Sequence, residues 1–132
     1  MRLVADIESD HFLEKMTKIH CIAALDADNP SKSWVFGPDK IDDAIDLLQS
    51  ADELIFHNGI TFDVPAIQKL YPNFSTDGLM LTDTLVLSRL IRADLLERDI
   101  KNSWADPESR YPKRLFGSHG LKAWGYRLGV LK

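Results

Sequence analysis

The chain has 132 residues, 45% of them hydrophobic and 27% charged, which suffices for one folded domain with its own core. The formal net charge of −4 excludes binding to nucleic acid by bulk positive charge, and the single cysteine, Cys21, excludes an internal disulfide. No apolar run approaches the ~20 residues that span a bilayer, and Asp6 falls where a signal peptide would be apolar, so no membrane association and a cytoplasmic location are expected.

From the N-terminus, residues 2–7 read as a buried strand running into acids. Residues 18–26 and 32–36 read as two further strands, and Asn29-Pro30-Ser31 between them predicts a hairpin. Cys21, within an apolar run, reads as a small core residue. After the break at Gly37-Pro38-Asp39, Ile41, Ala44, Ile45, Leu47 and Leu48 recur at helical spacing and predict an amphipathic helix over 39–50. Residues 53–57 form a short apolar strand ended by Asn58-Gly59. Residues 63–70 are predicted helical, with Asp63 as a cap, Pro65 in the first turn, and Val64, Ile67 and Leu70 at helical spacing. A loop over 72–78, a strand over 79–82 and a helix over 84–90 follow, with Asp83 read as that helix's cap. Residues 93–115, polar and containing Pro107 and Pro112, read as a loop or mobile insertion. A last helix over 118–128 has Ser118 as its cap and Leu121, Trp124 and Leu128 on one face. A strand meander followed by alternating strands and helices predicts a single α/β domain with a mixed sheet. Basic residues crowd the end: six Lys/Arg and no acid follow Glu108.

Asp6-Ile7-Glu8 puts two acids on one face of a strand, since residues i and i+2 point the same way. Two hard oxygen ligands on one face suit Mg²⁺ or Mn²⁺. The spacing is not distinctive by itself, because it recurs at Glu8/Asp10, Asp26/Asp28 and Glu97/Asp99. Asp6 differs in following Leu3-Val4-Ala5, where a buried charge needs a compensating partner such as a cation. Asp63 has two readings: a simple helix cap, or a third carboxylate beside the pair, with His57 and Asn58 at the same sheet edge. His20, His57 and His119 match no zinc spacing, and Trp34, Trp104 and Trp124 are read as structural.

Asp-x-Glu on a first strand, followed by Phe56-His57-Asn58-Gly59 and then Asp63-Val64-Pro65-Ala66, resembles the first two motifs of the DEDD (DnaQ-like) 3′→5′ exonucleases. Two later stretches, 83–91 and 116–129, are similar to the proofreading exonuclease domain of short-tailed-phage family A DNA polymerases, so the resemblance covers almost the whole chain. It implies a ribonuclease H-like fold, a mixed sheet flanked by helices, incomplete at the C-terminus. It also implies a two-metal site for Mg²⁺ or Mn²⁺, in which Asp6 bridges both ions, Glu8 binds one and Asp63 holds the second through water. The activity implied is hydrolysis of the 3′-terminal phosphodiester of single-stranded DNA, in the cytoplasm of a bacterial host if the chain is phage-encoded. Asn58, Phe62, Arg114 and Lys122 are then expected to contact nucleic acid.

The same resemblance implies a fourth carboxylate, in a Tyr-x-x-x-Asp or His-x-x-x-x-Asp pattern, and nothing after Asp63 fits it. The isolated chain is therefore expected to be weak or inactive unless a polymerase domain or another chain supplies that segment. The alternative is a nuclease-like module without catalysis that binds DNA ends or a polymerase partner. A third possibility, an interaction protein with incidental acids, fits the four matching segments poorly.

Overall fold

The computed structural model describes residues 1–106 and 111–130; Pro107 and Arg110 of the expected loop and basic stretch, and Lys132, lie outside them. The chain divides into two compact units, Met1–Thr84 and Leu85–Lys132.

The first unit carries a five-stranded mixed sheet in the order β3-β2-β1-β4-β5. Its strands are β1 (Arg2–Ser9), β2 (Ile19–Asp26), β3 (Ser33–Phe36), β4 (Glu53–Phe56) and β5 (Met80–Asp83). The meander β1-β2-β3 is antiparallel, whereas β4 runs parallel to both β1 and β5. Parallel neighbours need a crossover, which α2 (Asp63–Leu70) supplies between β4 and β5, while α1 (Ile41–Gln49) leads into β4. In β1, Leu3, Ala5 and Ile7 are buried and alternate with exposed Val4, Asp6 and Glu8. The strand is thus buried on one face, with Ile7 turned into the core and Asp6 and Glu8 on the other face, as strand periodicity predicts. Its buried face packs with Ile41, Ala44 and Leu48 of α1 and Val64, Ala66 and Ile67 of α2. Cys21 is half-buried and is not a core residue.

The second unit contains α4 (Leu95–Ala105) and α5 (Leu121–Leu128); α3 (Thr84–Ile91) begins at the boundary. The expected loop over 93–115 therefore contains an eleven-residue helix. Its inward positions are Leu95 and Asp99, one apolar and one charged, so hydrophobic periodicity could not register it. Outward-facing Asp94–Arg98 and Glu97–Lys101 pairs at i,i+4 support it. Asp99, 3% exposed, meets Arg127 of α5 through two bonds of 3.1 and 2.7 Å and accepts the Gly117 N–H at 2.8 Å. Burial pushes the Asp99 carboxyl up, but the bonds from Arg127 and Gly117 outweigh it and leave the group below its ordinary value. The Arg127 guanidinium also lies over the rings of Trp124 and Tyr111, at 5.0 and 5.3 Å. Within α5 the expected apolar stripe is not buried: Leu121 and Leu128 are exposed, and the inward residue is Ala123. The cap is Gly120, and Ser118 acts one step earlier by accepting the Gly120 N–H.

Candidate metal and nucleic-acid site

The site grows from the point where β1 loses its parallel neighbour. β1 pairs with β4 only through Arg2, Leu3 and Val4, while β2 continues alongside it to Ser9. Past Val4 the backbone donors on the β4 side need other acceptors. The Ile7 N–H finds one in Asp63 Oδ1, at 3.3 Å. This bond draws the first residue of α2 against the end of β1, where Asp6 and Glu8 project from the exposed face on either side of buried Ile7.

Asp63 is therefore not a helix cap. Phe62 holds that position without a side-chain cap bond, and Asp63 is 3% exposed inside the unit. Burial and then the negative charge of Asp6 push its carboxyl up to about 6, against the lowering effect of the Ile7 N–H. The Asp6 carboxyl is also raised, first by desolvation and then by repulsion from Glu8, with His57 opposing the shift. Asp6 thus stands under the charge of Glu8, and Asp63 under that of Asp6 and, last, Asp83.

The turn leading to Asp63 is fixed from β5. Asp83, 5% exposed and opposite Phe56 in the β4–β5 ladder, accepts the N–H groups of Asn58 at 3.0 Å and Ile60 at 3.1 Å. Asp83, immediately before the first residue of α3, thus braces this turn from the end of β5. The turn is tight: Asn58 has φ 74°, and a Cβ on Gly59 would lie 2.2 Å from Phe56 Cβ, so only glycine fits there. Thr84 Oγ1 donates to the Phe56 carbonyl at 3.1 Å and stands 2.9 Å from His57 Nδ1. The Asn58 side-chain oxygen accepts the Thr61 hydroxyl at 2.6 Å.

Phe62 is half-buried and forms a wall of two adjoining cavities. The smaller, about 400 Å³, is lined by Ile7, Glu8 and Asp10 as well as Phe12, and so borders Glu8 of the acid pair. The larger, about 610 Å³, is bounded by the loop carrying His11 to Lys15. Phe12 shares both cavities and is 88% exposed. Sequence reasoning missed Phe12; its only signal is a large apolar residue in a polar connection immediately after the acid pair. Asp83 was noticed only as a candidate cap of the helix that follows it; its bonds to the Asn58 and Ile60 N–H groups, in the turn after β4, were not foreseen.

Asp6, Glu8, Asn58, Phe62 and Asp63 all lie in the first unit at this strand end. Arg114, on the short 3₁₀ turn Lys113–Leu115, and Lys122, in the first turn of α5, belong to the second unit. Both are exposed and make no ion pair with any described residue. Among the described residues, no three of His, Cys, Asp and Glu stand close enough together to cage a metal ion. The donor set fits a divalent cation in part: Asp6 and Glu8 offer the hard oxygens such ions need, whereas one oxygen of Asp63 is already engaged by the Ile7 N–H.

No protein-family model matches the chain. In sequence it is 39% identical over 139 aligned residues to the DNA-directed DNA polymerase of Enterobacteria phage T3, and 36% identical over 139 to that of Escherichia phage T7. Each alignment takes in 98% of this chain but only 19% of the relative, so the chain spans about a fifth of the polymerases it matches. In fold it is similar to the zinc-bound E. coli ExoI–ssDNA complex, with a TM-score of 0.58 at 15% identity over 92% of this chain and 33% of that one. It is likewise similar to the family B DNA polymerase of the archaeon Pyrobaculum calidifontis, with a TM-score of 0.53 at 15% identity over 96% of this chain and 21% of that one. The chain is thus related in sequence to one segment of the phage T3 and T7 DNA polymerases, and its own fold is a ribonuclease H-like α/β unit with a mixed sheet flanked by helices.

Proposed function

We propose that the chain is the 3′→5′ exonuclease-like portion of a phage-type DNA polymerase, working on the single-stranded 3′ end of DNA in the cytoplasm of a bacterial host. The observation that carries this reading is the placement of acids at the end of β1: Asp6 and Glu8 share the exposed face, and Asp63 is tied to Ile7 between them and raised by burial and by the charge of Asp6. Mg²⁺ or Mn²⁺ bound there would lower the pKa of an attacking water and offset charge on the terminal phosphate. Asp6 and Glu8 would hold the ions directly, and Asp63 would support them from an outer position. Phe62 and Phe12 line the space beside Glu8 and offer faces on which the terminal base can stack. Asn58 presents its amide on the same turn, and Arg114 and Lys122 take the phosphate backbone.

With three acids and one of them outer, the chain is expected to hold its first cation better than its second, and hydrolysis by the isolated 132 residues is expected to be slow. A polymerase domain or a separate chain bringing a further carboxylate would restore it. The absence of a closed three-ligand cluster among the described residues favours one second reading: a module that grips DNA ends or a polymerase partner without cutting. Incubation of 3′-labelled single-stranded DNA with the chain and Mg²⁺ separates the two. Slow release of mononucleotides, lost in Asp6→Ala, supports the exonuclease; tight binding with no release at any Mg²⁺ or Mn²⁺ concentration supports the gripping module.

A further inference from the structure

The connection between β1 and β2 is a strongly braced loop whose most prominent side chain is in water. Its base is closed by Asp10, whose carboxylate accepts the N–H groups of Thr17 at 3.0 Å and Lys18 at 3.2 Å, and also the Thr17 hydroxyl. The returning chain is pinned in the core by Met16 and Ile19, 3% and 4% exposed. The far side is gripped by a different element: Lys69, near the end of α2, donates from Nζ to the carbonyls of Leu13 at 2.7 Å and Glu14 at 3.2 Å. Phe12 stands between these fixings, 88% exposed. Each attachment restrains loop entropy, yet the loop uses none of them to bury that ring.

α2 therefore has two attachments with one axis between them. Its first residue, Asp63, is bonded to β1 beside the acid pair. Six residues on, about 9 Å along the helix at 1.5 Å per residue, Lys69 holds the backbone immediately after Phe12. We infer that Lys69 is a positioning residue: it sets the distance between the Phe12 ring and the carboxylates, and so fixes where a terminal nucleobase stacks relative to the reacting phosphate. This rests on the reading of the cavity beside Glu8 as a nucleobase site. Lys69 is the better probe of the loop than Asp10, because Asp10 is two residues from Glu8 and a change there would disturb the acid pair directly.

The test uses short single strands carrying 2-aminopurine at the 3′ terminus or at an internal position, bound to the whole chain with Ca²⁺ in place of Mg²⁺. Stacking on an aromatic ring quenches the analogue. Lys69→Met keeps the aliphatic stem but removes the donors; it should lose most of the terminal quenching and weaken binding by about fivefold, the loss of one modest hydrogen bond. Lys69→Arg, which can still reach both carbonyls, should restore terminal quenching. Thermal melting of each variant reports whether the fold is intact. Wild-type quenching in Lys69→Met would overturn the assignment, as would a loss that Lys69→Arg does not rescue and that tracks a lowered melting temperature. No terminal quenching in the wild type would overturn the nucleobase reading itself, and this assignment with it.

Discussion

Replacing Asp63 by Asn should stabilise the cation-free chain at neutral pH and above, but not at pH 4. Asn keeps an oxygen for the Ile7 N–H, so the bond that draws α2 to β1 survives. What disappears is a charge that burial and Asp6 both oppose, and that moves the carboxyl from 3.8 up to about 6. In the folded chain this group holds a proton between these two values that the unfolded chain has already released. Stability therefore falls as pH rises through the interval and is level above it. At ~1.4 kcal/mol per pH unit the shift corresponds to about 3 kcal/mol. Urea denaturation of both proteins in EDTA, at pH 4 and at pH 7, isolates the effect, since the other carboxyls are common to both. The two should be nearly equal at pH 4, with Asp63→Asn ahead by about 2–3 kcal/mol at pH 7. Saturating Mn²⁺ should shrink or reverse the difference, because a cation favours the ionised group. An Asn variant that is less stable at pH 7, or offset equally at both pH values, would refute the charge-crowding account of the site.

Asp83→Ala should cost about 2–4 kcal/mol by chemical denaturation, because two backbone N–H groups in the turn before Asp63 lose their acceptor; a loss near zero would show that the turn holds itself. In the second unit, Arg127→Met leaves the Asp99 charge buried and uncompensated, with an expected cost of about 3–5 kcal/mol. Faster amide exchange throughout α4 and α5 would report it, and unchanged exchange would contradict it. Joint replacement of Arg114 and Lys122 by Ala should weaken single-stranded DNA binding and reduce the slope of log affinity against log salt by about 1.4, two phosphate contacts at ~0.7 each. An unaltered slope in a fluorescence anisotropy titration would remove both from the nucleic-acid surface.

The five strands were legible because each announces itself by apolar residues and an adjacent turn signal: Asn29-Pro30-Ser31 does close the β2–β3 connection, and Asn58-Gly59 does end β4. α1 was legible because Ile41, Ala44, Ile45 and Leu48 all point inward. α4 was not, because it faces inward with Asp99, and the partner that makes a buried acid tolerable is Arg127, far along the chain. The same limit applies at the site. The Asp6/Glu8 face followed from strand periodicity, but the roles of Asp63 and Asp83 depend on which backbone donors lack ladder partners. That is fixed by where β1 and β4 diverge, a tertiary fact that sequence spacing does not encode. Phe12 was overlooked for a related reason: its exposure has meaning only once the loop around it is known to be braced by Asp10 and Lys69.

The most direct examination of the cation site is calorimetric titration of Mn²⁺ into the wild type, Asp6→Ala and Glu8→Gln. Saturable binding in the wild type, abolished in Asp6→Ala and weakened in Glu8→Gln, is the predicted result. Equal binding by all three proteins, or none by the wild type, would contradict the claim that these strand-end carboxylates act together on one ion.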